Sequence, residues 1–147
     1  MPDSFDLERF VRAQDPVLPQ VRQELKTGRK RSHWMWFVFP QLAGLGHSAT
    51  ARHYAIISFS EARAYASHPL LGPRLTECTN LVNAIHGRTV HEIFGSPDDL
   101  KFHSSMTLFV QAQPENPAFR VALEKYFSGA LDPLTTRLLS ARPASAQ

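Results

Sequence analysis

Apolar residues recur along much of this chain at steps of three and four, the spacing that lines one face of a helix. Leu71, Leu75, Cys78, Val82 and Ile85 form one such stripe, and Phe119, Ala122, Leu123, Tyr126 and Phe127 form a second. Val17, Val21 and Leu25 make a shorter third. Start signals fall where these stripes begin. Asp15-Pro16, Asn116-Pro117 and Asp132-Pro133 each pair a capping oxygen with a proline that lacks the N–H otherwise left unpaired. Ser96-Pro97-Asp98-Asp99 repeats the pattern and puts acids in the positive first turn. Ser58 with Glu61, and Thr89 with Glu92, have capping-box spacing. Gly28, Gly87, Gly95 and Gly129 stand where a left-handed residue closes a last turn. The pattern predicts helices near 5–14, 17–27, 60–67, 73–86, 90–94, 97–111, 117–128 and 133–139.

Two segments do not follow this period. Trp34 to Phe39 is a continuous aromatic and apolar run ending at Pro40, consistent with a buried strand or a short helix, and Ala55 to Phe59 reads as a strand fragment. Two such pieces are too few for a doubly wound sheet. The predicted fold is mainly α: a compact bundle of seven or eight short helices with at most one or two short strands. Residues 1–139 are assigned to one helical domain and 140–147 to a flexible tail of Ala, Ser, Pro and Arg.

Composition narrows the function classes. With 43% hydrophobic and 20% charged residues in 147, the chain has the balance of one globular domain rather than a disordered segment. A single cysteine, Cys78, excludes an internal disulfide framework, and its place on an apolar stripe makes it a small core residue. No apolar run approaches the roughly 20 residues of a membrane span, and the first twelve residues are mixed and acidic rather than a signal core. A cytoplasmic protein with no membrane partner is expected. The net charge of +3 rests on 16 Lys and Arg against 13 Asp and Glu. The one dense basic cluster is Lys26, Arg29, Lys30 and Arg31, which is short of the continuous stripe that nucleic-acid binding asks for.

Two segments concentrate mixed chemistry. From Gly28 to Ser48 the chain packs Lys30, Arg31, His33, Trp34, Trp36 and Gln41 among three glycines. Cations suit phosphate oxygens and indole faces suit a flat ring, although an aromatic run is equally a core segment. Gly44-Leu45-Gly46-His47-Ser48-Ala49 fits a permissive dinucleotide fingerprint, but no βαβ unit follows it, so no cofactor is assigned. In the second segment, Asp98, Lys101 and Ser105 share one side of a predicted helix and Phe102, Met106 and Phe109 another. An amphipathic surface helix shows the same pattern. Lys101 and Ser105, four apart, have the types of an amine base and a hydroxyl nucleophile, with nothing to mark the serine as exposed. The seven histidines, His33, His47, His53, His68, His86, His91 and His103, lack the paired spacing of a zinc protease, so no metal is assigned.

The strings GRKRSHWMWFVFPQLAGLGHS, EARAYASHPLLGPRL, EIFGSPDDLKFHSSMTLF and PAFRVALEKYFSGALDPLTTRLL resemble a family of small bacterial proteins catalogued only as a domain of unknown function. Its members often carry the label calpastatin. The resemblance runs from about Asp6 to Leu139 and implies a compact, mainly helical single domain without implying a mechanism. The label itself finds no physical support in a chain with 10 phenylalanines and a packed-core pattern. In the family the position of His103 is usually an arginine, and histidine is a weaker fixed cation at pH 7.

The candidate ligand-binding set is therefore Lys30, Arg31, His33, Trp34, Trp36, Gln41, Asp98, Lys101 and Ser105. It suits a nucleotide-like or other anionic, ring-bearing small molecule. The alternative is a protein–protein interaction module without catalysis. No spacing in the chain selects a reaction, a catalytic residue or an oligomeric state.

Overall fold

The structure, a computed structural model, describes residues 4–141 and contains ten helices among them. They are α1 (Glu8–Gln14), α2 (Leu18–Thr27), α3 (Met35–Val38), α4 (Ala49–His53), α5 (Phe59–Ser67), α6 (Leu71–Asn83), α7 (Val90–Phe94), α8 (Asp98–Ala112), α9 (Pro117–Phe127) and α10 (Pro133–Ala141). The mainly helical expectation holds, with ten helices in place of seven or eight. The two additional ones are the short α3 and α4.

The aromatic run becomes α3 because its buried positions are Trp34, Met35, Val38 and Phe39, with Trp36 and Phe37 half-buried between them. A strand would alternate its faces; this grouping at i, i+1, i+4 and i+5 is helical. The other strand fragment contributes one isolated parallel bridge, Leu42 with Ile56, made by Ile56 N–H to Gln41 O at 3.0 Å and Ala43 N–H to Ile56 O at 2.8 Å. Both bridge side chains are fully buried, so this short contact ties the loop after α3 to the entry of α5.

Most start signals act as read. Asn116 Oδ1 accepts from Ala118 N–H, Asp132 Oδ2 from Thr135 N–H, Ser58 Oγ from Glu61 N–H, and Thr89 with Glu92 makes a complete capping box. Ser96 does not act so, because α8 starts after Pro97 with no side-chain cap, and Asp15 is the second correction. It closes α1 and pairs with Arg74 at 2.8 Å, while α2 begins at Leu18 without a side-chain cap. α1 itself starts at Glu8, not residue 5, because Asp6 takes a left-handed φ of 52°. α6 ends earlier than its stripe, at Asn83; Lys125 and Tyr126 of α9 donate to the carbonyls of Asn83, Ile85 and Val82 at that end. α10 continues through Ser140 and Ala141, and the rest of the expected tail, 142–147, lies outside the described residues.

α8 is the central helix, packed against α5, α7, α9 and α10, while α6 joins α2, α5 and α9 around it. One core runs from Leu7 to Leu139. Its aromatic members touch in sequence: Phe10 edge-on to Tyr65 at 5.0 Å, Tyr65 to Phe109 at 5.4 Å, and Phe109 to Phe119 at 5.8 Å. A second group, Phe39, Phe94 and Phe102, meets at 4.8 to 6.0 Å beneath the start of α8. That group supports the place where the two chemically mixed segments come together.

Candidate functional site

The loop leaving α2 is held from below by one carboxylate. Glu24 is 2% exposed, and its Oε1 accepts from Arg31 N–H (2.8 Å), Ser32 N–H (3.1 Å) and the Trp34 indole N–H (2.9 Å). Its Oε2 accepts from the Ser32 hydroxyl (2.6 Å) and the Gln20 amide (2.8 Å). Burial alone would push this carboxyl up. The bonds from Ser32, Arg31, Gln20 and Trp34 outweigh it and hold Glu24 at about 2, below the usual 4.5. No periodicity or cap signal points to this residue.

The fixed loop then presents its cations to α8. Lys30 N–H bonds to Ile93 O at 2.8 Å, and Lys30 Nζ reaches Asp98 Oδ2 at 2.9 Å with its side chain only 6% exposed. The same ammonium donates to Ser32 O and lies 5.1 Å from the Trp34 ring centre. Lys101 Nζ stands 3.6 Å from Asp98 Oδ1 and 5.1 Å from the Trp36 ring centre, both distances within the range of charge and cation–π attraction. Two ammonium groups thus share one carboxylate, leaving one positive charge in excess.

Beside Lys101 opens a cleft of about 360 Å³ lined by Gln41, Leu45, Gly46, Pro97, Leu100, Lys101, His103, Ser104, Asp132 and Leu134. The glycine-rich turn forms one wall. Gly46 is required there by close packing, since a Cβ would stand 2.6 Å from that of Ala51 in α4. With only a single-residue bridge before it, the turn is not the strand-to-helix crossing of a dinucleotide site. His103 stacks on Phe127 with ring centres 3.9 Å apart and meets Ala130 O at 2.7 Å. Ser104 Oγ donates to Leu100 O and Asp132 Oδ2, and Asp132 also caps α10, so this serine and acid are joined in a structural cap. The rim is apolar: Leu100 is 63% and Leu134 45% exposed.

The structure thus brings Lys30, Trp36, Gln41, Asp98 and Lys101 to one end of α8. It does not bring all nine sequence candidates there. Trp34 is fully buried with its N–H on Glu24, a core ring closed to solvent. Ser105 is also fully buried, with Oγ unpaired, because α8 passes from the surface into the middle of the bundle. Lys101 and Ser105 therefore do not face one another as base and nucleophile. Arg31 and His33 are exposed and do not line the cleft. Among the described residues no three His, Cys, Asp or Glu side chains gather to hold a metal ion. Sequence reasoning did not name Leu45, Gly46, Pro97, Leu100, Ser104, Asp132 and Leu134 as lining residues; Leu45 and Gly46 carried a signal in the glycine-rich motif, and Pro97 and Asp132 in helix-start motifs, while Leu100, Ser104 and Leu134 carried none.

Elsewhere the buried ionisable groups are structural. Arg9 pairs with Glu61 at 2.9 Å and donates to the carbonyls of Phe5, Asp6, His53 and Ala55. Burial raises the Tyr65 hydroxyl well above its usual range, and pushes the Cys78 thiol up to about 12, so neither ionises near neutrality. No helix of the described chain is long and apolar enough to cross a membrane.

Comparison with known proteins gives two matches. The family described as "Protein of unknown function (DUF1810)" matches residues 4–139. The crystal structure of the conserved hypothetical protein Rv1873 from Mycobacterium tuberculosis, at 1.38 Å, is 58% identical, covering 95% of this chain and all of that one with a TM-score of 0.93. Neither name refers to calpastatin. No curated protein matches the chain.

Proposed function

We propose a function from the site itself, because the chain belongs to the DUF1810 family, whose description supplies no activity. The reading is that the cleft beside Lys101 binds an anionic, ring-bearing small molecule of the nucleotide or sugar-phosphate kind. The observation that carries it is the shared carboxylate: Asp98 meets both Lys30 and Lys101 and so cannot neutralise both, which leaves an ammonium at the mouth of a mostly apolar cleft whose one lining carboxylate, Asp132, is taken up in hydrogen bonds from Ser104 and Thr135. Leu45, Pro97, Leu100 and Leu134 supply surface for a ring, while Gln41 and Lys101 supply the few polar groups that orient it. The setting in this reading is a bacterial cytoplasm, and binding without an assigned reaction is as far as the residues carry it.

The test is a thermal-shift screen of nucleotides, dinucleotides and sugar phosphates on wild type and on Lys101→Ala. A ligand at 100 times its dissociation constant stabilises the fold by about 2.7 kcal/mol, a readily measured shift. The shift is expected in wild type and lost in Lys101→Ala. A shift unchanged in the variant removes Lys101 from the site, and no shift with any compound defeats the reading.

One observation favours a second reading, an interaction module. Leu100, Leu134 and the neighbouring Leu131, 42% exposed, form an apolar rim that a protein partner could cover. Leu100→Asp would abolish such an association.

A further inference from the structure

A second cleft, of about 390 Å³, lies where the loop after α2 meets α7. Lys30 lines it, whereas Lys101 lines the first, so the Asp98 carboxylate holds ammonium groups that belong to two different clefts. The charged groups around the second cleft divide into committed and free. Lys30 is held by Asp98 and Ser32 O. His91 Nδ1 is 3.3 Å from Asp99 Oδ2, and Glu92 Oε1 accepts from Thr89 N–H in the capping box of α7. Arg29 and Arg88 remain. Both are exposed, and neither guanidinium is within hydrogen-bond or ion-pair distance of a partner among the described residues, although the charge of Arg88 is felt by Glu92 across the cleft.

The chain brings these two groups together through the end of α2. Gly28 closes that helix at φ +82°, and a Cβ there would stand 3.3 Å from both Cδ and Nε of Arg88. The bare glycine therefore lets the Arg88 stem lie across the helix end, beside Arg29. A stem already packed loses less freedom when its guanidinium is engaged. With Lys30 and Asp98 cancelling, two guanidiniums face one carboxylate, Glu92, and the cleft keeps a positive excess.

We infer that this cleft binds a phosphate-bearing small molecule, with Arg29 and Arg88 gripping its phosphate oxygens. Each planar guanidinium offers two parallel N–H donors, and a carboxylate is filled by one such fork. Two forks on one cleft need an anion with more oxygens, which a diphosphate group has. The cleft exceeds the room a single small anion takes, so the rest of the molecule lies against His91 and the turn at Gly95. This assignment is independent of the first cleft, with which it shares no lining side chain.

Inorganic pyrophosphate, titrated calorimetrically into the full chain, is the probe. Wild type binds it, and Arg29→Ala and Arg88→Ala each weaken binding roughly tenfold or more, the worth of a lost charge-assisted pair. Arg88→Lys keeps the charge without the fork and falls between wild type and Arg88→Ala. Melting temperatures without ligand verify that the variants fold. Three results overturn the assignment: wild type failing to bind pyrophosphate, unchanged affinity in both alanine variants, or acetate binding as tightly as pyrophosphate. Because Lys101→Ala tests the other cleft, the two assignments fail separately.

Discussion

Glu24→Gln removes a charge from the base of the loop while keeping the shape of the side chain. The wild-type carboxylate accepts five hydrogen bonds at 2.6 to 3.1 Å from Arg31, Ser32, Trp34 and Gln20. Those bonds hold its folded-state pKa at about 2 against the usual 4.5. At about 1.4 kcal/mol per unit, the preference of the fold for the ionised form is about 3 kcal/mol. The variant should lose about that much at pH 7, since an amide oxygen accepts less strongly and its NH₂ turns a donor toward donors. The sign with pH follows from the lowered value. Between pH 4.5 and 2 the unfolded chain holds a proton there that the folded chain does not, so wild-type stability falls as pH falls through that window. Above pH 4.5 the contribution is complete. Urea titrations from pH 7 down to pH 3 measure it, with the fluorescence of Trp34 and Trp36 together reporting on this segment. Wild type should converge on Glu24→Gln as the pH drops. A difference below about 0.5 kcal/mol at pH 7, or parallel pH curves, would refute the claim that the charge anchors the loop.

Two further substitutions test the packing. Leu123→Ala in α9, at a position 3% exposed, should cost about 2–5 kcal/mol in a denaturant titration; a loss of a few tenths would mean the α9 stripe is not buried as described. Gly72→Ala should reverse the usual helical preference for alanine of about 1 kcal/mol. A Cβ there would stand 2.3 Å from the backbone oxygen of Ala66, so α5 and α6 must separate at a cost of roughly 1–3 kcal/mol. A raised melting temperature would contradict that close approach.

What could be read along the chain was what neighbouring residues settle among themselves. The caps at Ser58, Thr89, Asn116 and Asp132 are bonds over two or three residues, and the stripes of α6 and α9 are one helix period repeated, so both are present in the linear string. The local rule failed where a distant partner offered more. Asp15 has the form of a cap but meets Arg74, fifty-nine positions on, and the run at Trp34–Phe39, open between strand and short helix in the string, is a short helix whose Phe37 carbonyl accepts from the distant Gln14 and Tyr65. The site shows the same division. That residues 28–48 and the start of α8 carry mixed chemistry is visible in the string, and their meeting is the contact of Lys30 with Asp98 and of Lys101 with Trp36. Which of two tryptophans faces inward is not visible there. Trp34 is buried because Glu24, ten residues earlier, takes its N–H, while Trp36 lies half-buried beneath Lys101. Ser105 sits one turn from Lys101, yet lies in the core because four other helices pack around α8. Local bonds and helical period belong to the sequence; the choice of inside or outside belongs to the packing of elements far apart in the chain.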